Sequence, residues 1–113
     1  MNLLQAAEHI DLELATRLIE AKVEVNAYDE FGQTALHIAI DIAFEEAIRI
    51  SDTEGRYVEP QIDMIELLIS NGADHRQPNY KGETPMDWAF MRKHDGFVQK
   101  LKAIIAKHSQ KEA

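Results

Sequence analysis

The stretch FGQTALHIAI, residues 31–40, returns fifty residues later as KGETPMDWAF, residues 81–90. In both, Gly is followed two residues on by Thr (Gly32 and Thr34, Gly82 and Thr84). A small residue or Pro comes next, then an apolar residue, and Ala stands five after the Thr (Ala39, Ala89). A second pair of segments echoes the same way. DLELATRLIEAKVEVN (11–26) and QIDMIELLISNGADHR (61–76) each read as an apolar helix face followed by a turn. Leu12, Leu14, Ala15, Leu18 and Ile19 of the first match Ile62, Met64, Ile65, Leu68 and Ile69 of the second, at helical spacing. Self-similarity of this kind marks a repeat architecture, in which each unit buries its apolar face against the next.

Each unit is therefore two short helices joined to the following unit by a turn-rich loop. Thr34 and Thr84 are placed to cap the first helix of their units, and Pro85 suits a first helical position. Asp87, three residues after Thr84, supplies the acidic partner of a capping box. Gly72 stands where a helix ends in a left-handed residue. Ala6, Ala7, Ala39, Ala43 and Ala89 allow paired helices to approach closely.

Together these residues resemble the ankyrin repeat family. Gly32, Thr34, Leu36, His37 and Ala39 carry a GxTxLHxA core; Gly82, Thr84, Pro85 and Ala89 carry GxTPxxxA; Leu67, Leu68, Gly72, Ala73 and Asp74 carry LLxxGAD. A weaker VEVNAYD stands at 23–29. The resemblance implies an all-α solenoid of about three helix-turn-helix repeats with hairpin-like loops. It also implies that His37 ties neighbouring loops by hydrogen bonds rather than acting in catalysis. The expected organisation is a first repeat over about 1–28, a second over about 29–78, a capping repeat over about 79–107, and a disordered tail over 108–113. The sequence departs from the family at Lys22, where Gly is expected and where the turn is strained or reshaped, and at Asp87, where the family has His. Arg17, Lys100 and Lys102 take apolar positions, as polar outer faces of terminal repeats do.

The second repeat is too long. Gly32 and Gly82 are 50 residues apart, against about 33 for one such repeat, so roughly 17 residues are extra. The excess lies between its two helices, at about 44–60. DIAFEEAIRI (41–50) is still a good helix former, and Glu45 and Arg49 stand four apart as a favourable pair. The first helix is expected to run on by about two turns, roughly 10 Å. SDTEGRYVEP then turns the chain, and Pro60 starts the second helix. The expected result is a protruding helical hairpin with an acidic tip. A plainer alternative has Ile48, Ile50, Tyr57 and Val58 closing on each other as a cover for the core.

The chain of 113 residues has a net charge of −8 and no cysteine. Disulfides, thiol nucleophiles and Cys-rich zinc sites are excluded, and a reducing compartment such as the cytoplasm is the expectation. No apolar run reaches membrane-spanning length, and no secretory leader is evident. Residues 1–30 carry −5, 41–66 carry −6 and 67–113 carry +3. Such an acidic front repels nucleic acid and favours a basic partner. His9 with Asp11, His75 and His94 lack the spacing of metal ligands, Asp52-Thr53-Glu54 is at most half a calcium loop, and no phosphate-binding or hydrolase motif occurs. No cofactor is expected. A metal-dependent hydrolase built on the acids and histidines is the enzymatic alternative.

By resemblance, partners dock on loop tips and on the exposed side of first helices. The tips carry Glu30, Phe31 and Gln33, then Tyr80 and Lys81; the first helices carry Asp41, Ile42, Met91 and Arg92. Phe31, Tyr80, Ile42 and Met91 form an apolar series with charges around it, the composition of an interface centre. The insertion adds Glu45, Asp52, Glu54, Arg56, Tyr57 and Glu59. Trp88 is assigned to core packing. The functional expectation is a non-enzymatic module, monomeric when free, that binds one basic protein. A bacterial immunity protein neutralising a toxin is one form of this. A general scaffold, or self-assembly of acidic front on basic end, is the alternative.

Overall fold

The computed structural model describes residues 2–109. Six helices follow one another: α1 (Leu3–Glu8), α2 (Leu12–Glu20), α3 (Ala35–Glu54), α4 (Asp63–Ser70), α5 (Pro85–Met91) and α6 (Asp95–Ser109). There is no strand among the described residues. Helices α1, α3 and α5 pack side by side as one layer, and α2, α4 and α6 as a second. The two layers enclose a core of Leu36, Ile40, Ile65, Leu68, Phe97 and Leu101, all nearly or wholly buried. Ala6, Ala7, Ala39, Ala43 and Ala89 are buried at the helix contacts, so the small residues sit where the backbones approach. This is the helix-turn-helix solenoid that the repeats imply.

The helix ends follow from the residues. Thr34 and Thr84 accept from the backbone N–H of His37 and Asp87, and both side chains answer by accepting from the Thr N–H. Asn2 and Gln5 form the same reciprocal box on α1. Helix α4 closes in the six-to-one pattern of a left-handed cap, with Ala73 N–H donating to Leu68 O at 3.0 Å and Gly72 at φ 99°. Helix α2 closes identically, Val23 N–H to Leu18 O at 3.3 Å, although Lys22 occupies the left-handed position at φ 67°. The turn is thus not reshaped by Lys22; it keeps its form and carries the strain. Ile10, a β-branched residue at φ 55°, carries more at the α1–α2 turn.

Consecutive repeats are joined through their loops. Asp29 and Asn79 fold equivalent tips: each carboxyl or amide oxygen accepts two backbone N–H groups, those of Phe31 and Gln33 or of Lys81 and Glu83. Asn26 reaches across to the next repeat, donating to Gly72 O at 3.0 Å and accepting from Asp74 N–H at 2.8 Å. Tyr28 donates its hydroxyl to Pro78 O at 2.8 Å. The ring of Tyr80 lies on Gly32, where a Cβ would stand 2.2 Å from it, so only glycine admits this contact. His37 is fully buried, and its Nδ1 accepts from Thr34 N–H at 3.2 Å. That leaves the proton on Nε2, which donates to Glu83 O at 2.8 Å.

The insertion differs from its expected shape. Helix α3 does run on, to 20 residues, and ends in Gly55 at φ 68°. The chain then returns without helix over residues 56–62, and α4 begins at Asp63 with Ile62 as its cap. Pro60 is buried in this return and starts no helix. One long helix and an extended return therefore replace the helical hairpin. Nor does the return protrude: Tyr57 Oη hydrogen-bonds His94 Nε2, and Lys100 donates to Glu59 at 2.8 Å. His94 Nδ1 also accepts from Phe97 N–H at 3.0 Å, capping α6. The expected Glu45–Arg49 pair does not form. Arg49 turns to Glu46, 2.5 Å away, while Glu45 faces α5. At the far end, α6 continues through His108 and Ser109, so a tail starting at 108 is not observed; residues 110–113 lie outside the described residues.

Two predictions follow from the loop and cap chemistry. Lys22→Gly should relieve a left-handed cost of about 1–2 kcal/mol, partly offset by glycine's greater unfolded-state entropy. Net stabilisation of roughly 0.5–1 kcal/mol is expected in chemical denaturation, with an unchanged m-value. Burial holds the His37 pKa below its ordinary value, against the hydrogen bond to Glu83, which favours the charged form. The unfolded chain then binds the proton more readily than the native one, so stability is present above about pH 6.5 and falls as pH drops towards the lowered native value. The stability gap between the protein and His37→Gln should accordingly narrow from pH 7.5 to pH 5, measured by urea unfolding at each pH. A gap independent of pH would show that His37 does not titrate between the two states.

Candidate functional site

The first-helix layer and the loop tips make one continuous surface. Thr34 and Thr84 start α3 and α5 in the same way, so the two helices present equivalent faces. Between them lies a hollow of about 300 Å³, lined by Ile40, Asp41, Glu83, Trp88, Met91 and Arg92. Its chemistry is an apolar floor with ordered charges. Arg92 Nη2 donates to Asp41 at 2.5 Å and to Glu45 at 3.2 Å, and its guanidinium lies 5.2 Å from the Phe44 ring centre. Burial works against the Arg92 charge, but the hydrogen bonds to Asp41 and Glu45 outweigh it and raise the pKa further. Trp88 Nε1 donates to Glu83 at 3.2 Å, as does the Asn79 amide; together these bonds hold the Glu83 carboxyl below its ordinary pKa. Trp88 also sets its ring edge-on to His37, 5.1 Å between centres. It is half-buried and lines the hollow, so core packing is only part of its role.

The expected surface residues fall into two groups. Phe31, Tyr80 and Met91 are 68%, 71% and 57% exposed, unusual values for such side chains. Phe31 and Tyr80 stand at neighbouring loop tips, though Tyr80 also rests on Gly32 and lies 5.7 Å from Tyr28. Glu30 and Lys81 are exposed on those tips, and Gln33 is half-buried beneath. Ile42 is half-buried in a separate hollow of about 530 Å³ with Glu8, His9, Glu45, Glu46 and Arg49. Asp41, Glu45 and Arg92 do not stand as separate charges; they form one ion cluster across α3 and α5.

The second group belongs to the insertion. Asp52 and Tyr57 line a hollow of about 330 Å³ with Phe44, Ile48, His94 and Arg92, so Arg92 borders both hollows. Glu54 pairs with Arg56 at 2.6 Å at the exposed end of α3. Glu59 is committed to Lys100, which lowers its pKa. The roles of His94 and Lys100 as partners of the return were missed by sequence reasoning. Their signal was present, since Lys100 departs from the apolar repeat pattern and His94 precedes α6 at a cap position. Among the described residues, no three His, Asp or Glu side chains gather as a metal site, and no helix is long and apolar enough to cross a membrane.

Comparison with known proteins agrees with this geometry. A family profile described as ankyrin repeats (many copies) matches residues 3–50, and one described as ankyrin repeat matches residues 31–80. An ankyrin repeat protein of Acanthamoeba polyphaga mimivirus is 41% identical over 69 residues. That match takes in 61% of this chain but only 10% of the viral protein. Among solved structures, an ankyrin repeat domain from Acinetobacter baumannii superposes with a TM-score of 0.66 at 27% identity, over 90% of this chain and 46% of that one. A chain from the complex of a predatory endopeptidase with an immunity protein, from Bdellovibrio bacteriovorus, gives a TM-score of 0.65 at 24% identity, over 90% and 45%. The chain spans less than half the length of each. Repeat motifs, capping chemistry, loop hydrogen bonds and these matches together place the chain in the ankyrin repeat family.

Proposed function

We propose that the chain is a non-enzymatic protein-binding module whose partner is a basic protein. The family's repeats serve protein–protein interaction. The observation that carries the basic partner is the arrangement around α3. Phe31, Tyr80 and Met91 offer exposed apolar surface. Beside them α3 carries five acids (Asp41, Glu45, Glu46, Asp52 and Glu54) against one base, Arg49, with Arg92 of α5 meeting Asp41 and Glu45. Aromatic and Met anchors surrounded by charge are the make-up of an interface centre with its rim. The acidic field speeds encounter with a cationic surface and loses that effect as salt rises. Inhibition of a toxin by an immunity protein is one form of such binding. One structural neighbour comes from an endopeptidase–immunity protein complex, a likeness of fold that makes this form worth testing. The absence of cysteine fits a reducing compartment such as the cytoplasm.

The test uses exposed positions, and of the charges changed only Glu54 has an ion-pair partner among the described residues, Arg56 at the same end of α3. Phe31→Ala with Met91→Ala removes exposed anchors, and Asp52→Lys with Glu54→Lys reverses charge at the end of α3. Glu59 is left in place because it holds Lys100. Partners would be captured from the cells of origin, identified by mass spectrometry, and their affinity measured with purified components. We expect one basic protein whose binding weakens by about ten-fold or more in the Phe31/Met91 variant. Its association rate should fall in the charge-reversed variant and with added salt. An acidic partner, or one whose affinity ignores all four changes, would overturn the proposal.

A further inference from the structure

A fourth concavity lies on the flank of the long helix that faces the first repeat. Helix α1 has six residues and α3 has twenty, so α1 cannot cover the end of its neighbour. Beyond the α1–α2 turn, Ala39, Ala43, Ala47 and Ile50 of α3 face a groove that is closed by Ile10 on one side and Val58 on the other. Its volume is about 280 Å³, at the lower end of ligand pockets and large enough for one or two side chains but not for a helix. The walls are mostly apolar, and they include three acids: Glu46, Glu59 and Asp63. The carboxylates of Glu46 and Glu59 are paired with Arg49 and Lys100, but neither cation lines the groove. Asp63 has no cation partner among the described residues. A groove with an apolar interior and acids alone among its charged walls discriminates by charge as well as by shape.

We propose that this groove is an anchor site for an aliphatic side chain carried beside a lysine or arginine. The methylenes would lie on Ala43, Ala47 and Ile50, and the cation would meet Asp63 and Glu46. Charge complementarity selects this occupant. An acidic segment would meet three carboxylates, and a neutral apolar one would leave Asp63 without a counterion. The proposal rests on the reading of the chain as a binder of basic proteins, and it locates a contact away from the loop tips and the first-helix hollow.

The groove can be tested without the partner. Methyl-labelled protein would be titrated with n-hexylammonium, n-hexanoate and hexan-1-ol, following the methyl resonances of Ile10, Ile50, Ala43 and Met64. We expect hexylammonium to shift these signals at millimolar concentration, with hexanoate weaker by about three- to ten-fold. Asp63→Asn with Glu46→Gln should erase the preference for the cation and leave hexanol binding unchanged. Ala47→Met should fill the groove and abolish all three. Equal response to hexanoate and hexylammonium, or no response at these methyls, overturns the proposal. If it falls while the Phe31/Met91 variant still loses the basic partner, the protein-binding reading stands and only this anchor is lost.

Discussion

The buried imidazole of His37 is the joint on which the stacking of the second and third repeats depends. It meets Thr34 at the start of its own helix and the carbonyl of Glu83 in the next loop. A carbonyl left unpaired in that place would cost about 1–3 kcal/mol, more than a typical hydrogen bond contributes net. The position of Glu83 follows from this bond, and two further features follow from Glu83. Its side chain holds the Trp88 indole over the first-helix hollow, and its backbone N–H fixes the Asn79 turn that displays Tyr80 and Lys81. Core geometry and surface geometry are therefore set by one ring. The Asn26 amide plays the corresponding part between the first and second repeats, bonding Gly72 and Asp74.

The insertion obeys a different logic. An ordinary helix of this layer has six or seven residues, as α1 and α5 do, and α3 exceeds them by thirteen or more. The surplus has no neighbour of its own length, so its apolar positions need other cover. Towards the third repeat that cover is the chain itself. Tyr57 stacks beside His94, Phe44 packs on Phe97 at 4.6 Å between ring centres, and Glu59 takes Lys100. Towards the first repeat there is less: Val58 and Ile10 flank the helix but leave the groove between them open. The asymmetry comes from the return segment, whose polar ties among the described residues lead to α3, α5–α6 or its own backbone and none to α1 or α2.

Much of the fold could be read from residue types, because repeat motifs report local chemistry. Thr at a helix start, glycine at a left-handed turn and alanine at a close contact each have one dominant physical use, and each was found in it. The continuation of α3 was legible for the same reason, as an unbroken run of helix formers from Asp41 to Ile50. The return was not. Pro60 fits a first helical turn as well as an extended strand of chain, and only its burial among tertiary neighbours decides. Long-range pairs were equally hidden. Arg92 meets Asp41 and Glu45 across about fifty residues, and no local pattern distinguishes that partner from the nearer Arg49.

That last pairing bears on how the surface works. Counted from the sequence, Asp41 and Glu45 add to the acidic front; in the structure, Arg92 neutralises much of what they contribute. The carboxylates that remain for a partner are displaced outward, to Asp52 near the end of α3 and to Asp63 beside the groove. The hollow between α3 and α5 is left with Trp88, Met91 and Ile40 as its apolar content, and its charges are already satisfied. A centre that need not be stripped of unpaired charge is less costly to desolvate than one that must be. Acids placed at the periphery remain in water, where they steer a basic partner without paying for burial. The ion cluster thereby divides one acidic face into an apolar contact region and a charged border.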